Sequence, residues 1–140
     1  MTPGGKGTRT GTIMERMIAS ALESNNYKFK KQVYIGQQLF GNRYKADFIV
    51  NDKIISLKWQ QVPGTAEQKI IYEIASLIKI IEDSNKEFTK AYLVYGGNGF
   101  SQGALNYMQH NMHVKLLIHG NYVFIESLND FIARINQHNL

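Results

Sequence analysis

Between residues 27 and 97 the chain lays down three short strand-like runs, one long amphipathic stretch and a fourth strand-like run. Few architectures accept that order. The runs YKFKKQVYIG (27–36), RYKADFIVN (43–51) and KIISLKWQQ (53–61) are rich in β-branched and aromatic residues, the composition of strands. QQLFGN joins the first two, and a tight turn around Asn51, Asp52 and Lys53 joins the second to the third. GTAEQKIIYEIASLIKIIEDS (64–84) carries helical periodicity, with Thr65 as its expected N-cap. FTKAYLVYGG (88–97) is apolar enough to lie inside a sheet. The pattern predicts an α/β chain in which three antiparallel neighbours are followed by one crossover helix and a fourth strand.

The flanks add helices. Residues 12–24 place apolar side chains at 13, 14, 17, 18, 21 and 22, and Thr12 with Glu15 matches a capping box. After the fourth strand we expect a short helix over 101–111, a hairpin over 114–127 turning at Gly120-Asn121, and a last helix opened by Ser127. Residues 1–11, with Lys6 and Arg9 among glycines and threonines, read as a flexible basic arm suited to a phosphate backbone, and residues 12–140 as a single domain. The whole chain of 140 residues, 44% hydrophobic, suffices for a real core. The absence of cysteine excludes disulfide scaffolds, thiolate metal sites and cysteine nucleophiles. Sixteen Lys+Arg against eleven Asp+Glu leave a charge of +5, which suits a polyanionic partner. The polar start lacks the apolar core of a secretory signal. The most apolar stretch, 70–81, is interrupted by Glu73 and Lys79 and is too short to span a bilayer, so we expect no membrane partner. An intracellular placement follows, cytoplasmic or nucleoid-associated.

Chemistry concentrates in the third run. Lys58 and Gln60 in an otherwise apolar strand are costly unless something uses them. Alternation puts residues 54, 56, 58 and 60 on one face. It sets Asp47 opposite Ala46, Phe48 and Val50, and the short turn brings Asp47 close to Ser56 and Lys58. Other patterns fail. GGKGT (4–8) lacks the order of a phosphate loop, and no G-x-S-x-G elbow is present. The histidines at 110, 113, 119 and 138 lack metal-ligand spacing. GGNGF (96–100) reads as a loop or a DNA-groove contact.

An acid on one strand, an x-Lys strand after a tight turn and a glutamate-bearing helix upstream together resemble the PD-(D/E)XK nuclease superfamily, whose core runs αβββαβ. The resemblance spans roughly residues 12–95, with a helix, hairpin and helix trailing it. It implies that Glu15 is the first-helix glutamate, Asp47 the metal-binding aspartate and Lys58 the catalytic lysine. The carboxylates would hold Mg²⁺, with Mn²⁺ as a substitute, and the lysine would assist attack on the phosphate. Ser56 stands where the motif has Asp or Glu, leaving the metal one ligand short. Glu67 is the preferred replacement, at the mouth of the next helix, and Glu73 is the alternative. A third arrangement lets Ser56 work through a water, with Gln60 completing the site. QKIIY (68–72) resembles the Q-x-x-x-Y element of RecB-like nucleases, which implies DNA contacts for Gln68 and Tyr72; Lys6, Arg9 and Arg43 complete the expected DNA-binding set. The implied function is a Mg²⁺-dependent DNA endonuclease, site-specific in the homing or restriction manner. The alternatives are a Holliday-junction resolvase-like nuclease or an inactive DNA-binding module on the same fold. One domain supplies one site, so cutting both strands implies a homodimer or homotetramer, with the late hairpin and nearby apolar residues as the subunit contact.

Overall fold

The apolar stripe near the start becomes helix α1 (Pro3–Ser24), and the three strand-forming runs become β1 (Lys30–Gln37), β2 (Arg43–Val50) and β3 (Lys53–Trp59), an antiparallel meander. This computed structural model describes residues 3–140, with side chains from residue 11 onward. The tight β2–β3 turn forms around Asn51 at φ 55°, a left-handed conformation that asparagine tolerates. A 3-10 turn (Glu67–Lys69) then runs into α2 (Ile70–Asp83), which returns the chain to β4 (Lys90–Gly96), parallel to β3. A second crossover, through α3 (Gln102–Gln109) and the short α4 (His113–Leu116), leads to β5 (Val123–Ser127), parallel to β4. Helix α5 (Leu128–Asn136) follows, and the sheet order is β1-β2-β3-β4-β5.

Both faces of the sheet are covered. Helices α2 and α3 pack Ile70, Ile74, Leu77 and Met108 in one core with Ile54, Leu93 and Ile125. Helices α1 and α5 pack Met14, Ile18, Leu22 and Phe131 in the other with Phe48, Ile55 and Tyr92. Each such side chain contributes about 1.5–3 kcal/mol on burial. A one-residue slip of β3 would exchange Ile54 and Ile55 between cores and turn Lys58 to the wrong face, so the packing fixes the register that positions the lysine.

Several local expectations are corrected. Helix α1 begins at Pro3, inside the segment expected as an arm, so Thr12 is an interior helix residue and not the cap of a capping box. The side chains of Lys6 and Arg9 lie outside the described residues. Ile13 and Met17 are exposed, whereas Met14, Ile18, Ala19 and Leu22 are buried in the core and Ala21 packs partly buried against it. Thr65 does not cap α2 through its side chain; its carbonyl accepts from Gln68 N at 3.1 Å as the 3-10 turn starts. The hairpin over 114–127 does not form. Its first half becomes α4 and an irregular link, because His119 turns left-handed (φ 60°) and Gly120 presses against the backbone of His113. Its second half pairs instead with the open edge of β4. No described helix is long and apolar enough to cross a membrane.

Candidate active site

The site opens where two paired strands separate. The β2–β3 ladder runs Val50–Lys53, Ile49–Ile54 and Phe48–Ile55, and then stops. β3 continues alone with β4 as far as Trp59–Gly96. The backbone N–H of Leu57 loses its strand partner there and donates to Asp47 Oδ2 at 2.8 Å. A side chain thus replaces a ladder bond, satisfying a group that would be costly to leave unpaired. β2 also changes face at this point. Tyr44 and Ala46 pack in the α2-side core, whereas Phe48 and Val50 pack in the α1-side core. The expected single alternation through Ala46, Phe48 and Val50 is therefore broken at Asp47. Opposite it on β1, Gln32 has φ 54°.

Into this opening project Asp47, Ser56 and Lys58, with Glu73 reaching in from α2; all four line a cleft of about 720 Å³. Lys58 Nζ lies 2.9 Å from Glu73 Oε1. Glu73 Oε2 is buried and has no hydrogen-bond partner among the described residues. Burial pushes the Asp47 carboxyl above its ordinary range, while the Leu57 N–H and the charge of Lys58 pull it back. Ser56 is 1% exposed and lies beneath the site beside the buried Tyr44 hydroxyl. Burial first, and the charge of Glu73 second, raise the pKa of that phenol. A smaller recess adjoins the cleft through Asp47 and is lined by Glu15, Met14, Leu57 and Trp59. Gln32 stands between the two carboxylates, 3.4 Å from Glu15 Oε2 and close enough to Asp47 to stabilise its charge.

Glu67 and Gln60 lie elsewhere. Glu67 Oε1 accepts from Ser101 N at 2.9 Å and Gln60 Nε2 at 3.2 Å, and its Oε2 accepts from Ser101 Oγ at 2.6 Å. The Ser101 hydroxyl, above all, holds this carboxyl below its usual range. Gln60 is buried, donating to Gly99 O at 2.8 Å and accepting from Glu67 N at 3.0 Å. Its polarity serves this loop junction rather than the cleft. The structure brings Glu73, not Glu67, beside Asp47 and Lys58.

The cleft rim is cationic and aromatic. Arg43, Lys45 and Lys69 line it, with Gln68 and Tyr72 between them. The Arg43 guanidinium stacks 3.8 Å above the Tyr34 ring. The spacing of Lys45, Lys69, Tyr34 and Gln32 does not single them out, yet Lys69 and Glu73 share the four-residue step of Gln68 and Tyr72. That step puts all four on the cleft side of the 3-10 turn and the first turn of α2. Among the described residues no group of three or more His, Asp or Glu is gathered as a ready metal cluster. The donors nevertheless suit a hard divalent cation: a buried Glu73 oxygen makes no hydrogen bond to the described residues, and Asp47 is desolvated.

The family model of the PD-(D/E)XK nuclease superfamily domain matches residues 6–139. Among solved structures, the crystal structure of AF1548, a protein of unknown function, is similar at a TM-score of 0.50 and 15% identity. The alignment covers 81% of this chain and 55% of that one, so the chain spans about half the length of that neighbour, and the likeness concerns the fold alone. No curated protein matches the chain.

Proposed function

The chain belongs to the PD-(D/E)XK nuclease superfamily, and from that premise we propose that it is an endonuclease that hydrolyses phosphodiester bonds of DNA with Mg²⁺, using Asp47, Lys58 and Glu73. One observation carries the reading. A lysine ammonium, a strand aspartate and a helix glutamate meet where β2 and β3 part, with Lys58 Nζ 2.9 Å from Glu73. Ser56 removes the strand acid of the family motif, and Glu73 supplies a carboxylate from the helix that covers the same face.

Asp47 and Glu73 would supply oxygen donors for Mg²⁺ from the cleft, with Glu15 in the adjoining recess as a further carboxylate. When bound, such a cation lowers the pKa of water and polarises a phosphoryl oxygen. Lys58 offsets the negative charge that develops on the phosphorane and orients the attacking water. Its present partner, Glu73 Oε1, keeps the ammonium extended into the cleft. Asp47, fixed by the Leu57 N–H, aims its second oxygen with little freedom. Arg43, Lys45 and Lys69 neutralise phosphates flanking the scissile one, and Gln68 and Tyr72 stand beside them. Exposed Leu116 and Ile118, at the end of α4 and just beyond it, are our candidates for the contact between two copies.

The test is a denaturing gel of the protein with supercoiled plasmid, cruciform DNA and single strands, each with and without Mg²⁺. We expect Mg²⁺-dependent breaks in at least one substrate. DNA binding with no cutting in Mg²⁺ or Mn²⁺ would leave only a binding module and contradict the proposal.

A further inference from the structure

The turn between β1 and β2 presents two apolar side chains to solvent at the edge of the cleft. Leu39 is 41% and Phe40 80% exposed. A floppy turn could fold such residues back onto the core, but this one is braced. Gln38 N donates to Asn42 O at 2.6 Å and Gly41 N to Gln38 O at 2.9 Å. Leu39 N donates to Ser76 Oγ at 2.9 Å and Phe40 N to Tyr72 OH at 3.2 Å, so α2 holds the turn from below. Gly41 closes it at φ 98°, a conformation that disfavours side-chain-bearing residues. The Phe40 ring lies 5.0 Å from the ring of Tyr72, a residue of the cleft wall. Gln38 and Arg43, at the two ends of the turn, line the same cleft.

We propose that Phe40, backed by Leu39, inserts between adjacent bases of DNA held in the cleft and opens that base step. The inference rests on reading the cleft as a DNA-cleaving site and adds how that site selects DNA. Charge identifies the occupant. The apolar surface is two side chains wide and adjoins, through Tyr72, a cleft lined by Arg43, Lys45 and Lys69, which suits a base stack flanked by phosphates better than an apolar protein surface. Apolar wedges that unstack a step while cations hold the backbone are a physical route to bent or opened duplex. The energetic consequence is a preference for steps that open easily: pyrimidine–purine steps, mismatches and bulges.

The experiment uses the whole chain and duplexes carrying 2-aminopurine tiled through the sequence, in Ca²⁺ or EDTA so that binding is read without cutting. Wild-type protein is expected to raise 2-aminopurine fluorescence several-fold at one position. F40A should abolish the rise and weaken binding at least about fivefold, the low end for one base–aromatic stack. F40W, which preserves a ring, should retain the rise, and circular dichroism melts should show F40A still folded. Wild type that binds and cuts but gives no fluorescence change at any position overturns the wedge and leaves the nuclease reading standing. An equal rise in F40A does the same. Wild type that neither binds nor cuts overturns both.

Discussion

Asp47, Glu73 and Glu67 are acids on neighbouring elements, and their surroundings assign them different work. Glu67 receives three hydrogen bonds, which stabilise its charge without any metal. Asp47 is desolvated, with its pKa raised. Below the ordinary aspartate pKa this group costs the fold nothing, and stability is lost as pH rises through its higher folded-state value. D47N keeps an acceptor for the Leu57 N–H and removes the buried charge. In EDTA, D47N should therefore melt above wild type at pH 7, with the difference vanishing in acid. Added Mg²⁺ should raise the melting temperature of wild type and not of D47N. A D47N protein that melts below wild type in EDTA at pH 7 would show that the site is not a strained, cation-seeking one. Asp47 and Lys58 are legible in the sequence because a tight turn and period-two alternation bring them together. Nearness to β3 along the chain favours Glu67 over Glu73, but direction around the helix decides. Glu73 lies one residue beyond Tyr72 on the cleft wall, whereas Glu67 precedes the apolar Ile70, Ile71 and Ile74 and turns to Ser101.

At the scale of elements, the site depends on two loops pressed together. The segment after β3 lies directly on the glycine-rich loop after β4. A Cβ on Gly99 would come within 2.5 Å of Val62 backbone atoms, and one on Gly97 (φ 95°) would collide with the Gln60 carbonyl. The GGNGF stretch is thus a packing surface that sets where the Glu67–Lys69 turn enters α2. G99A should cost about 1–3 kcal/mol, as overpacking does, read from urea denaturation. A G99A protein as stable as wild type would mean that the loops part freely. The order of helices and strands through β4 can be read from periodicity, since both faces of the sheet are covered and strongly patterned. The change of face at Asp47 cannot, because a broken ladder leaves no mark on alternation. The hairpin fails for a related reason. The run VKLLIHG has strand-like composition, but β4 offers one free edge and Val123–Ser127 takes it.

Over the whole molecule, part of the basic excess lines the cleft. Arg43, Lys45 and Lys69 stand along one cleft whose floor carries the acids, an arrangement that attracts a polyanion to the rim while reserving the centre for a cation. Replacing Arg43 and Lys69 together by alanine should lower the log–log salt slope of DNA binding by about 1.8, roughly 0.9 for each phosphate no longer neutralised. Fluorescence anisotropy over a salt series measures it, and an unchanged slope would move the DNA path off this cleft.

The most direct test of the central claim compares plasmid nicking by wild type, E73Q and E67Q under the same Mg²⁺ concentration. If Glu73 supplies the acid that Ser56 lacks, E73Q should slow cutting by about 10²–10³-fold, the scale of losing one preorganised electrostatic group. E67Q, which disturbs only the Ser101 junction, should stay within a few-fold of wild type. Wild-type cutting by E73Q, or loss of cutting in E67Q alone, would contradict the assignment of Glu73 beside Asp47 and Lys58.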